Sequence, residues 1–475
     1  MQSTNEISSD LQELKDKKES GAETINSSGD MSNDDGFYLV EENNIYSEAI
    51  DFESYPWLEP SHPLYFPAIQ ASASQRTRWE AVDKFSVENW YPHLQKHTFK
   101  SHFLTLKFDD ILYLMEKASS DYDSSKLEKT LDTILEEFNN KEAFMRLSTR
   151  SPKDSKYLFE EASSIMSKDL FYWSENDNKH QQLVSFVASM LKAMKIKEGR
   201  KIIESIRQSP RVFGDLIALV STAEPSECTT KIILREWQDI RPDHEFRVFV
   251  SRRNRKESIV TAISPYFHFL YYDKTPADGF NFSEESCKNA LVAKLENYVL
   301  KSVDPDVAKF LNFSSEQDED NSSDCIREYI VDLALVPASQ YHGEITDENK
   351  LMIGKNTYVI VVIELNPFAP SATGSALFNW KNDLMTLWGK AECEYPVFRH
   401  RTTPREDLHT VTLLPTNYES VIKSALSKRL ANAPPEMGLI SQRDQFFTPL
   451  KTMSETIVHS NTKDEKPNSN WTLSN

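Results

Sequence analysis

An α+β fold is predicted by the order in which two hydrophobic periods follow each other along the chain. Apolar residues recur at helical spacing in the first half and once more in the second. Runs of β-branched residues, of strand length and bounded by Pro, Asn or Asp, cluster between 230 and 366. A mostly helical N-terminal part followed by a C-terminal mixed sheet accommodates that order.

The first clear helix spans 125–138, where Leu127, Leu131, Ile134, Leu135 and Phe138 share a face and Ser125 and Glu128 have capping-box spacing. A second runs over 181–197. Strands are expected at KIILREW (231–237), HEFRVFVS (244–251), SIVTAIS (258–264), REYIVDLALV (327–336) and YVIVVIEL (358–365), with a helix at 284–300 among them. Between the second and third strands, Arg252-Arg253-Asn254-Arg255-Lys256 forms a hairpin tip. Without interleaved aromatics it reads as a solvated turn, not a nucleic-acid patch. The acidic run at 316–324 reads as a surface loop.

Composition excludes several functions. The 475 residues include 11 glycines and 4 cysteines and carry a net charge of -19. No GxxxxGK[ST] or GxGxxG loop is present, so any phosphate must be held largely by side chains. Cys228, Cys287, Cys325 and Cys393 are scattered without a CxxC pair. That pattern argues against a disulfide scaffold or a cysteine zinc site and for a reducing, cytoplasmic setting. No run reaches the ~18–20 apolar residues of a membrane span, and the N-terminus lacks a signal-peptide core. Residues 1–60 hold fifteen acidic and three basic side chains, a net of -12. The expected division is an acidic disordered leader (1–58), two subdomains (59–227 and 228–390), a C-terminal extension (391–454) and a disordered tail (455–475). His93, His97 and His102 lack further ligands and do not read as a metal site.

Three constellations carry chemistry. In AFMRLSTRSPKDS (143–155), Arg146, Ser148, Thr149, Arg150, Ser151, Lys153 and Asp154 crowd around a proline. Arg and Lys there could clamp an oxyanion; the alternatives are a surface loop or a phosphorylation site at Ser151. In the second, a strand ends at Arg235-Glu236-Trp237 and the next carries Arg247. Strand alternation sets Phe246, Val248 and Val250 on one face, Arg247 and Phe249 on the other, so Arg247 should meet a charged partner or a ligand. Trp237 could wall a base pocket or simply pack in the core. In the third, Asp332 lies inside an apolar strand, and Glu364 and Asn366 end another at i, i+2. Hard oxygen donors on adjacent strands suit Mg²⁺; the alternative is a strand-ending Asn-Pro turn.

These segments resemble the cell division cycle protein 123 family, which has an ATP-grasp fold. The similarity opens at Trp90-Tyr91-Pro92, Thr98-Phe99-Lys100-Ser101 and Leu104-Thr105-Leu106 and resumes at 146–154. It is strongest at Leu234-Arg235-Glu236-Trp237 with Glu245-Phe246-Arg247, and closes at Glu364-Leu365-Asn366-Pro367-Phe368 and Ser375-Ala376-Leu377-Phe378, followed by Trp380. About residues 88–390 are covered. The resemblance implies an ATP-grasp-like α+β fold and an ATP site. In it, Arg146 binds phosphate, Ser148 and Arg150 flank it, Ser151, Lys153 and Asp154 lie in the covering loop, and Leu234 to Trp237 form the adenine hinge near Ile240. Arg247 would reach the phosphates, and Asp332, Glu364 and Asn366 would hold Mg²⁺.

The implied role is a monomeric chaperone that binds the gamma subunit of translation initiation factor 2 and promotes its assembly, without direct nucleic-acid or membrane contact. An ATP-grasp ligase that makes an acyl-phosphate is the alternative. No base or nucleophile has convincing context, which favours the non-enzyme. Departures from the family pattern are Arg146 for Lys, Glu364 for Asp, Ala369 for Gly, and Pro265-Tyr266 in place of an arginine region. Residues 390–450 extend past the expected family end.

Overall fold

The computed structural model describes residues 84–168, 179–252, 257–271, 284–311, 328–369, 373–405, 408, 411, 414 and 418–432. The leader, the acidic run at 316–324, Cys325, hairpin residues 253–256 and the tail lie outside them. The main body ends at Leu426; of a second unit, Ser427–Asn475, residues 427–432 are described, as the end of a helix. Among the described residues no helix is long and apolar enough to cross a membrane.

The chain runs α1 (Val87–Leu94), β1 (Ser101–Leu106), α2 (Phe108–Leu114), α3 (Ser124–Leu135), β2 (Ala143–Leu147), α4 (Lys156–Lys168), α5 (Lys179–Ala193), α6 (Gly199–Arg207) and α7 (Pro210–Thr222). It continues through β3 (Thr230–Glu236), β4 (Glu245–Arg252), β5 (Ser258–Pro265), α8 (Glu285–Tyr298), a π turn (Val299–Val303) and α9 (Asp304–Phe310). Then follow β6 (Glu328–Pro337), β7 (Lys350–Ile353), β8 (Asn356–Pro367), α10 (Leu384–Leu387), β9 (Val397–Phe398) and α11 (Tyr418–Asn432). The fold is α+β, and all five expected strands are present. The cap of α3 lies earlier than the sequence spacing suggests. Asp123 accepts from the Ser125 amide at 3.1 Å and from its hydroxyl at 2.7 Å, so Ser125 falls inside the first turn.

Two sheets organise the body. The small one has the order β1-β3-β2, both pairs antiparallel. Its central strand, β3, follows the expected boundary at 227, so the sheet joins segments from both expected subdomains. One face, with Leu106, Met145, Leu147, Ile232 and Leu234, packs on apolar residues of α2, α3, α6 and α7. The large sheet has the order β7-β8-β6-β4-β5-β9, antiparallel except for β5 with β9. Its strand alternation is as expected: Phe246, Val248 and Val250 join α1, α8 and α9 in one core, while Phe249 faces Phe368, Phe378 and Trp380 on the other side.

The hairpin between β4 and β5 forms as the sequence implies, but Arg252 is not a solvated turn charge. It is 8 % exposed and donates from Nη2 to Asp304 Oδ2 at 2.9 Å, beside Tyr329, whose hydroxyl donates to Asp304 Oδ1 at 3.0 Å. The extension beyond 390 is part of the body: β9 pairs with β5, and Val411, Leu414, Val421 and Ile422 complete a core with α4, α5 and residues 266–270.

Candidate functional site

A polar row crosses the large sheet on the face opposite α1, α8 and α9. Register places Ser264 opposite Arg247, Arg247 opposite Asp332, and Asp332 opposite Glu364. Strict alternation along β8 would defeat this arrangement. Val359 and Val361 share that face, so Glu364 would point into the helix-side core. A β-bulge intervenes: Asp332 pairs with Glu364 but Leu333 pairs with Val362, leaving Ile363 as an extra residue. The bulge turns Glu364 and Asn366 toward Asp332.

Inside the row, Arg247 grips Asp332 bidentately, Nε to Oδ1 at 2.9 Å and Nη2 to Oδ2 at 2.8 Å. Its Nη1 donates to Gly374 O at 2.5 Å. Asn366 Nδ2 donates to Asp332 Oδ2 at 2.9 Å. Arg247 and Asp332 are 4 % and 2 % exposed. Burial raises the Asp332 carboxyl above its ordinary value, and the Arg247 pair opposes that rise.

The small sheet supplies the facing cations. Phe144 and Arg146 on β2 share a face with Ile233 and Arg235 on β3. Arg146 Nη1 donates to Glu364 Oε1, and its Nη2 to Thr149 O at 3.4 Å. Arg235 ties the two sheets together: Nη1 donates to the carbonyl of the bulged Ile363 and Nη2 to Thr98 Oγ1, both at 2.6 Å. Thr98 in turn donates to Val362 O at 2.6 Å. Burial opposes the Glu364 charge, but Arg146, Lys153 and Arg235 outweigh it and hold its carboxyl below the ordinary value. Arg235 is brought down to about 10, by burial first and then by Arg146.

Lys153 reaches the same cluster. Burial lowers its amine, opposed by Glu245, Glu364 and Asp332. Tyr266, at the departure from the family pattern, stacks beneath two cations, its ring centre 5.4 Å from Lys153 Nζ and 5.1 Å from the Arg247 guanidinium. Glu245, named from sequence only as part of the Glu245-Phe246-Arg247 motif, was given no role there. It shares the Arg247 face of β4, and burial pushes its carboxyl up to about 7. That alternation was a usable signal, since Glu245 stands two residues before Arg247 in one strand. Four basic groups thus face three acids, two of them, Asp332 and Glu245, raised by burial.

The other expected residues divide. Ser148 donates to Glu88 Oε1 at 2.6 Å. Arg150 pairs with Asp215 at 2.7 Å. Asp154 caps α7, accepting from Ser209 Oγ at 2.5 Å and the Arg211 amide at 3.0 Å. Ser151 lines a cavity of about 10 Å³ beside Lys153, room for a single water. The Leu234 side chain lies in the helix-side core of the small sheet, and Trp237 packs against the core formed with α4, α5 and residues 266–270. Glu236 accepts from Asn139 at 2.9 Å, and Ile240 packs against the cluster of Phe99, Ala334, Val336, Val359 and Val361. The Glu236 and Trp237 amides are committed to Lys100 O and Glu142 O at 2.8 and 3.1 Å.

The histidines have local roles. His97 meets Asp306 at 3.2 Å, His102 lies 3.4 Å from Glu137, and His93 packs on Phe310. Among the described residues no three His, Cys, Asp or Glu side chains converge as a metal cage. The donors that do adjoin, Asp332, Glu364 and Asn366, are hard oxygens that suit Mg²⁺ if phosphate completes the shell. Buried Thr149 Oγ1 and Arg235 Nε, without hydrogen-bond partners among the described residues, add polar capacity beside it. The residues fit a metal–polyphosphate pair.

Fold and site together define an α+β protein with a charged cluster built from side chains where two sheets meet. The chain belongs to the D123 family, whose model matches residues 185–452. The match runs past 390, correcting the expectation that the family ends there. Similar solved structures include Cdc123 from Schizosaccharomyces pombe, 16% identical, with a TM-score of 0.39, covering 68% of this chain and 98% of that one. Its C-terminally truncated form is 15% identical, with a TM-score of 0.41 and the same coverage. A comparison with curated proteins finds no match.

Proposed function

We propose that the chain binds ATP with Mg²⁺ at this cluster and acts as an assembly chaperone for translation initiation factor 2, docking its gamma subunit. One observation carries the nucleotide part: Arg146, Lys153, Arg235 and Arg247, from three separate segments, converge on Asp332, Glu364 and Asn366. Surplus positive charge suits polyphosphate, and guanidinium forks suit its oxygens. Lys153 and Arg146 would hold the outer phosphates. Asp332, Glu364 and Asn366 would hold the cation, which would neutralise phosphate charge. Bound nucleotide would then stabilise the folded body by mass action and so shape a docking surface. The partner rests on family resemblance alone.

Calorimetric titration of the full chain with ATP·Mg²⁺ tests the first part; saturable heat is expected, and neither heat nor a melting shift would refute it. Capture of purified initiation factor 2 gamma tests the second. Binding by the wild type, weakened in folded Asp332→Asn, is expected; no capture by the wild type would refute the chaperone reading.

A further inference from the structure

We propose that Arg146 and Arg247 make cation binding at this site conditional on polyphosphate, because both guanidinium groups occupy the carboxylates the cation needs. The inference rests on the nucleotide reading and adds a coupling between its two ligands. Asp332 has donors on both oxygens: Arg247 reaches Oδ1 and Oδ2, and Asn366 shares Oδ2. Glu364 Oε1 accepts from Arg146. A divalent cation arriving by itself competes with buried guanidinium groups for these carboxylates, and each one it displaces is left as buried positive charge without its anion, which is strongly unfavourable.

The protein also offers too few donors to compensate. Mg²⁺ prefers six oxygens at near-octahedral angles and gives up its waters reluctantly. Two carboxylates and one amide oxygen are what Asp332, Glu364 and Asn366 supply, and no cage of three His, Cys, Asp or Glu exists among the described residues. Polyphosphate resolves both deficits together. Its oxygens receive the displaced guanidinium forks and complete the cation's shell. Arginine and cation therefore exchange anions, each gaining what the other releases. Reciprocity requires that the cation raise nucleotide affinity by the same factor.

Binding of Mn²⁺ to the full chain, read from the electron paramagnetic resonance of the free ion, tests this with and without the non-hydrolysable β,γ-imido analogue of ATP. Solution complexes of Mn²⁺ with the analogue are subtracted. Mn²⁺ with no analogue should bind at least tenfold more weakly than with it, within the 5–150-fold range typical of coupled sites. Arg146→Gln, which frees Glu364, should strengthen binding of Mn²⁺ by itself by about tenfold and shrink the coupling. Equal Mn²⁺ affinity with and without the analogue overturns the inference while leaving the nucleotide reading intact. Failure of the analogue to bind under any condition refutes the nucleotide reading and the coupling with it. If Arg146→Gln does not fold, the wild-type comparison still decides.

Discussion

Replacing Glu245 by Gln should make the protein more stable at pH 8 than at pH 5 relative to wild type. Burial holds the Glu245 carboxyl up to about 7, against 4.5 ordinarily. The folded state therefore keeps a proton that the unfolded state has released. Below about 4.5 both states are protonated and the carboxyl contributes nothing. As pH rises from there through about 7, the unfolded state is increasingly favoured, and above 7 the penalty is constant. A gap of that size, at about 1.4 kcal/mol per pH unit, corresponds to about 3 kcal/mol. The opposing attraction of Lys153 and Arg247 is already contained in that value. The net gain should fall at roughly 1–3 kcal/mol at pH 8 and near zero at pH 4.5. Urea midpoints for both proteins between pH 4.5 and 8 measure it. A difference that does not change with pH, or a variant less stable at pH 8, would refute the burial argument.

Two further outcomes follow from a buried ion pair and from a helix cap. Arg252→Met should cost about 3–5 kcal/mol by leaving Asp304 buried with a weaker partner set, and adding Asp304→Asn should restore much of it; urea denaturation of the four proteins in the cycle measures the coupling. Asp154→Ala removes the carboxylate that accepts at the start of α7. It should cost about 1 kcal/mol, seen as a lower thermal midpoint.

Strands of the large sheet were legible because their apolar alternation is undiluted, and the Arg247 face followed from it directly. Asp332 and Glu364 stood out as acids in apolar runs, and the structure sets them opposite each other. What alternation could not reveal is why they meet, since the bulge at Ile363 reverses the faces of β8 without any glycine or proline to mark it. Residues of the loop at 148–154 look equivalent in sequence, yet they separate: Lys153 turns to the cluster, while Arg150 and Asp154 serve α7. Tertiary partners distant in sequence, Asp215 and Ser209, decide that division. The small sheet was only half visible because β1 and β2 are short and mix polar with apolar residues.

The way the cores draw on distant segments also orders their completion as the chain is made. The core beneath the small sheet uses residues from Leu106 to Leu234 and can close first. The helix-side core of the large sheet joins Phe85 to Leu365, and the third waits for Ala425. At about 5–20 residues per second, synthesis from 234 to 365 takes on the order of 7–26 s. During that interval α1 displays Trp90 and Leu94 with most of their eventual neighbours not yet made. The newborn chain spends that time with an uncovered apolar helix, and the arrival of β8 ends it.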